Sequence, residues 1–112
     1  MKKLFLFTTI LCLILSTQIY PNIVLTGKYT CKDRPNCHFI IKKSTSKPND
    51  EGFITYYDGN IDVSMEGRIE SKAGNRTMTV YWSTGLVENL EIVNGTQFYA
   101  GNFQWVRKGP AQ

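Results

Sequence analysis

Ile61-Asp62-Val63-Ser64-Met65-Glu66-Gly67-Arg68-Ile69-Glu70 is the stretch that decides the fold. Apolar residues fall at Ile61, Val63, Met65 and Ile69, and polar ones at Asp62, Ser64, Glu66, Arg68 and Glu70; Gly67 expresses no preference. Side chains of a strand alternate between faces, so this period of two predicts a long strand with one face in a core and one in water. Tyr57-Asp58-Gly59-Asn60 lies immediately before it. Asp-Gly between alternating segments is a strong short-range signal for a tight hairpin. The chain is therefore expected to be all-β and antiparallel.

The same reading extends in both directions. Ile23 to Cys31 alternates, with Ile23, Leu25, Tyr29 and Cys31 inward. His38 to Lys43 follows with Phe39 and Ile41 on one face, then Gly52 to Tyr57 and Asn60 to Glu70 as the hairpin. Beyond a turn at Ser71 to Asn75, Arg76 to Trp82 sets Met78, Val80 and Trp82 against Thr77, Thr79 and Tyr81. Leu86 to Val93 is a further strand, Asn94-Gly95 a second hairpin signal, and Phe98, Phe103 and Trp105 lie on two last short strands broken at Gly101-Asn102. Seven to eight short strands with regularly spaced turn signals predict a small antiparallel β-barrel, calycin-like, or a sandwich. Ser44 to Asp50 has the composition of a surface loop.

The N-terminus sets the compartment. Lys2 and Lys3 precede Leu4 to Leu15, in which only Thr8 and Thr9 are polar, and Ser16, Thr17 and Gln18 follow. A charged start, an apolar middle and a small or polar exit make a signal peptide. The apolar run falls short of the roughly 20 residues a spanning helix needs. Residues 1-20 are read as the signal, with cleavage between Ser16 and Asn22, and 21-112 as a single exported domain, periplasmic or secreted. Only an uncleaved N-terminal segment would tie the protein to a membrane, and Cys12 lacks the preceding small residue of a lipidation site.

Without Lys2 and Lys3, eleven cations stand against nine carboxylates, a net of +2. Lys28, Lys42, Arg68, Arg76 and Arg107 are dispersed among acids, so nothing suggests nucleic-acid binding. Cys31 and Cys37 remain once Cys12 leaves with the signal. An even pair in an exported domain reads as a disulfide, which would contribute about 2 kcal/mol by closing a short loop. Metal binding is the other reading of the pair; with His38 it supplies three ligands and lacks a fourth.

Catalytic signals are sparse. His38 is the one histidine, and no Ser-His-Asp ordering can be built on it. Asp62, Glu66 and Glu70 share a strand face, but Arg68 interleaves them, as on a solvated face. Glu88 and Glu91 are likewise read as outward. No phosphate loop or metal-ligand spacing occurs, so neither a cofactor nor an enzyme is expected. The aromatics are richer. Tyr56-Tyr57, Tyr81-Trp82 and Phe98-Tyr99 must each split between the two faces. The inner rings read as core packing, with an aromatic pocket as the alternative. Asn75-Arg76-Thr77 and Asn94-Gly95-Thr96 match the glycosylation pattern and also sit at turns.

The segment from Asn94 to Gly109 resembles the C-terminal signature of the bacterial inhibitors of c-type lysozyme, the MliC/PliC family. The likeness lies in Gly95, Gly101, Lys108 and Gly109, in the aromatics Phe98 and Phe103, and in Tyr29-Thr30-Cys31 near the first strand. It implies a small barrel that inserts a loop into a lysozyme cleft. Asn94 would stand at the family's loop serine and Lys108 at its cleft-binding lysine, with Gly95 and Thr96 completing the contact. An ammonium beside a hydrogen-bonding side chain suits a cleft holding two carboxylates. Here Asn94 replaces the serine, and Trp105 stands one place early.

Leu25-Thr26-Gly27-Lys28-Tyr29 also resembles the first strand of avidins and lipocalins, where a late basic residue packs across the aromatic; Arg107 would do so here. That likeness implies a small-ligand barrel. The expectation is thus a monomeric exported binding protein. Its leading reading is an inhibitor of a cell-wall-degrading enzyme such as c-type lysozyme, and the others are a ligand-binding barrel or an immunity protein against a delivered toxin.

Overall fold

Strand alternation along the chain closes on itself. The computed structural model describes residues 24–71 and 76–111. Eight strands follow in order: β1 (Gly27–Cys31), β2 (Arg34–Lys43), β3 (Glu51–Asp58), β4 (Val63–Ser71), β5 (Thr77–Trp82), β6 (Val87–Asn94), β7 (Gln97–Ala100) and β8 (Phe103–Gly109). Each pairs antiparallel with the next, and β8 pairs with β1. The result is one closed up-and-down barrel, not a sandwich, and closure leaves no free sheet edge. The expected signal peptide and Asn75 lie outside the described residues.

Register carries the inward faces into layers. Phe39 faces Tyr56, which faces Met65; Ile41 faces Ile54, which faces Gly67, which faces Trp82. Tyr29, Ile41, Ile54, Ile69, Met78, Val80, Leu90 and Phe98 are fully buried and fill the lumen. Aromatic rings continue the core toward one end. Phe98 lies 4.9 Å from Tyr29 and 5.6 Å from Phe39, and Phe39 lies 4.6 Å from Trp105. Gly67 has a steric purpose: a Cβ there would come 3.0 Å from Trp82 Cε3 and 3.0 Å from the Tyr81 carbonyl. Glycine lets the Trp82 indole lie against β4.

Four expectations are corrected. The β3–β4 connection is a four-residue loop, since Asp58 pairs with Val63, and Asp62 takes φ 51°. Asp58 accepts a bond from Asn60 N–H (2.9 Å), and Gly59 N–H donates to the Asn36 carbonyl (2.8 Å). These bonds hold the loop wider than a two-residue turn. Ile61 and Val63 keep the alternation but not the burial, at 67% and 50% exposure. They lie beyond the last core layer. At the start of the barrel, β1 begins at Gly27; Val24 and Leu25 are buried outside any strand.

The fourth correction is the disulfide: Cys31 and Cys37 are free, buried thiols. Lys28 to Thr30 pair regularly with Ile40 to His38, but the register then shifts and Cys31 faces Arg34. Cys37 pairs with Asp58 on β3 instead, and Asn60 Nδ2 lies 4.0 Å from its sulfur. The bulge separates two residues that an unbroken ladder would have set opposite each other.

Candidate functional site: two ends of one barrel

In an up-and-down barrel, successive turns alternate between the two ends. The β1–β2, β3–β4, β5–β6 and β7–β8 turns surround one mouth. The β2–β3 and β6–β7 turns lie at the other end, with the approach to β1 and the exit of β8. The lumen is filled, but the first mouth opens into a cavity of about 250 Å³. Phe39 from β2 forms part of its wall with Tyr56, Trp82 and Trp105. Met65, Ala100, Phe103 and Leu86 line it further, and Leu86 is 57% exposed. Ile61 on the neighbouring β3–β4 connection and Val63 at the start of β4, both exposed, add apolar surface at the same end.

Two charged side chains also line this cavity, Arg34 and Glu88. Glu88 was expected to face solvent; it is half-buried and accepts the Trp82 indole N–H at 3.0 Å. The Arg34 guanidinium lies 5.1 Å from the Phe103 ring centre. Bonds to the Tyr56 hydroxyl and the Cys37 sulfur hold its pKa above the usual arginine value. Burial, reinforced by the Cys37 thiol, raises the Tyr56 pKa, so that hydroxyl stays protonated at neutral pH. Trp105 is 3% exposed, and its Nε1 has no hydrogen-bond partner among the described residues. A buried donor left unspent costs about 1–3 kcal/mol unless something accepts it.

The opposite end holds the residues singled out by the lysozyme-inhibitor likeness. Asn94, Gly95, Thr96 and Lys108 are all exposed. Gln97 pairs with Val106, and Arg107 N–H donates to the Thr96 carbonyl (2.8 Å), so Lys108 and Gly95 occupy the next rung. The fold thus brings the four together. The Asn94 side-chain oxygen is already engaged, however: it accepts from Thr96 N (2.9 Å) and Thr96 Oγ1 (3.0 Å). Asn94 builds the turn, whose central residues are Gly95 and Thr96.

Close by lie the residues on which the avidin/lipocalin likeness was read. Tyr29 faces Arg107 across the β1–β8 seam. Arg107 Nε donates to the Thr26 carbonyl at 3.0 Å, and the Tyr29 hydroxyl donates to the same oxygen at 3.4 Å. A Cβ on Gly27 would lie 2.5 Å from Arg107 Nε, and Gly27 has φ 137°. Glycine is therefore required where the arginine crosses. Burial pushes the Tyr29 pKa up to about 12 against the lowering effect of the Arg107 charge.

The other candidates disperse. His38 stacks 5.3 Å from Tyr57, and burial followed by the Lys28 charge lowers its pKa. No group of three His, Cys, Asp or Glu among the described residues is placed to hold a metal. Arg68 pairs with Glu70 and lies 4.7 Å from the Tyr81 ring centre on the outer face. A larger depression of about 420 Å³ lies over β2, β3 and β4, lined by Ile40, Lys42, Phe53 and Glu66 among others. It lacks the converging rings of the mouth. Sequence reasoning missed Arg34 and Glu88. Arg34 stood inside an expected disulfide loop, and Glu88 looked like any acid on a half-buried strand.

Comparison with protein-family models, with curated proteins and with solved structures finds no match to this chain.

Proposed function

We propose that this is an exported small-ligand-binding barrel whose site is the aromatic cavity at the β1–β2, β3–β4, β5–β6, β7–β8 mouth. The observation that carries the reading is that cavity, about 250 Å³ and walled by Phe39, Tyr56, Trp82, Phe103 and Trp105 at the open end of a filled barrel. Ligand sites in small barrels are concave, mostly apolar and edged by a few polar groups. The Gly27, Tyr29 and Arg107 arrangement supports the same reading, because it is the feature on which the likeness to ligand-binding barrels rests.

Both tryptophans of the chain line the cavity, so their indole N–H signals report on it directly. Small one- and two-ring aromatic compounds titrated into labelled protein should shift both signals and leave those of β2–β3 loop residues in place. Ala100→Leu, which fills the cavity from β7, should abolish the shifts in a folded protein. Absence of any shift at millimolar compound would overturn the reading.

A second reading keeps a specific observation of its own. Lys108 and the Asn94-Gly95-Thr96 turn share one exposed end, as an inhibitory contact on a hydrolase cleft requires. It is carried less far because the Asn94 oxygen is spent inside the turn. Lysozyme activity on bacterial cell walls, measured with the protein and with Lys108→Ala, decides it: inhibition lost in the variant supports this reading, and no inhibition at micromolar protein removes it.

A further inference from the structure

Resting on the cavity reading above, we propose that the mouth takes an aromatic carboxylate, a flat ring system whose acid group pairs with Arg34. The ring requirement comes from the walls. Trp82, Trp105 and Phe39 are held in place by their own contacts: Trp82 by Glu88, Phe39 by Trp105 at 4.6 Å and Tyr56 at 4.8 Å. Preset aromatic walls favour a flat apolar body over a flexible chain, which would lose more freedom on entering. A volume of about 250 Å³ holds one or two fused rings.

The anion requirement comes from Arg34. Its guanidinium has no carboxylate partner among the described residues; its contacts are the Phe103 ring, the Tyr56 hydroxyl and the Cys37 sulfur. Guanidinium offers five N–H donors in a fork that matches a carboxylate, and two neutral partners leave several of them unspent. Glu88 is the opposing charge at the mouth, on β6, and its Oε1 is tied to the Trp82 indole. The pair polarises the cavity, so an acid group is drawn to the β1–β2 side and repelled from the β6 side.

The test is calorimetric titration with three probes sharing one ring: 2-naphthoate, 2-naphthamide and 2-naphthylmethylamine. The acid should bind at least tenfold more tightly than the amide, as a charge-assisted bond to Arg34 implies. Arg34→Met should bring acid and amide within about threefold, while Arg34→Lys keeps part of the preference. Unchanged indole N–H positions in the free variants show that the barrel is intact. Equal binding of acid and amide, or a preference for the amine, overturns the carboxylate proposal and leaves the cavity as a ligand site. No binding of any probe, with no indole shift, overturns both.

Discussion

Individual residues carry the tightest constraints. Gly27 combines φ 137° with a Cβ position 2.5 Å from Arg107 Nε and 2.9 Å from the Gly109 carbonyl. Gly27→Ala should destabilise the barrel by about 1–3 kcal/mol, measured by urea unfolding, because both the backbone and the arginine must move. Tyr29 makes a pH prediction. Its folded pKa of about 12 lies above the ordinary tyrosine value of 10.0. The unfolded chain therefore loses that proton first, and the contribution, complete below pH 10, is lost as pH rises toward 12. Melting temperature should fall over that window, and Tyr29→Phe should flatten the fall. His38 acts at the other extreme: its lowered folded pKa means protonation favours the unfolded chain, so stability declines modestly as pH falls below about 6.5. The sequence offered the Tyr29–Arg107 meeting only through the likeness to avidins and lipocalins; the close approach at Gly27 needs a partner eighty residues away, and the Tyr29 and His38 shifts come first from burial, which the closed barrel sets.

Secondary-structure elements were far more legible. Met78, Val80 and Trp82 alternate as expected, and so do Phe39, Ile41 and the Phe98-Tyr99 split, with Phe98 buried and Tyr99 exposed. Departures occur where a turn or bulge overrides the period. Cys31 and Cys37 are spaced for a cross-strand bridge, but the shift after Thr30 sets Arg34 opposite Cys31. That bulge places Arg34 at the mouth. The Asn94 turn joins β6 to β7 through two bonds from Thr96 to one side-chain oxygen. Asn94→Ala should cost about 1 kcal/mol in thermal unfolding by leaving that turn unbraced. The same measurement separates a structural from an inhibitory Asn94, since a contact residue could be replaced without a stability loss.

At the scale of the molecule, closure makes the barrel one cooperative unit. β8 is held by both β7 and β1, and it carries Trp105 into the core and Arg107 to the seam. Removing β8 would leave two open edges and an uncovered Phe39, so a chain ending at Gly101 should fail to fold and should aggregate. Ligand binding should act on the same unit. An occupant at a hundred times its dissociation constant stabilises the folded state by about 2.7 kcal/mol. For a domain of this size that raises the melting temperature by roughly 10–20 °C. A thermal-shift series with 2-naphthoate therefore checks the mouth cavity without labelling, and no shift at saturating probe would count against it.

Period-two patterning determined by itself that the chain is all-β, antiparallel and built of about eight short strands. Alternation is a local property: each side chain's face follows from its neighbours along the strand. The tertiary structure decided which alternating residues become core and which become rim. Met65, Val63 and Ile61 share one pattern yet run from half-buried to exposed, because only their height along the barrel axis separates them. It also decided the site. Arg34 and Glu88 come from opposite sides of the ring of strands, and their meeting with Trp82 and Trp105 at one mouth depends on closure and shear. Those are set by the sum of all eight pairings, which no single stretch of sequence contains.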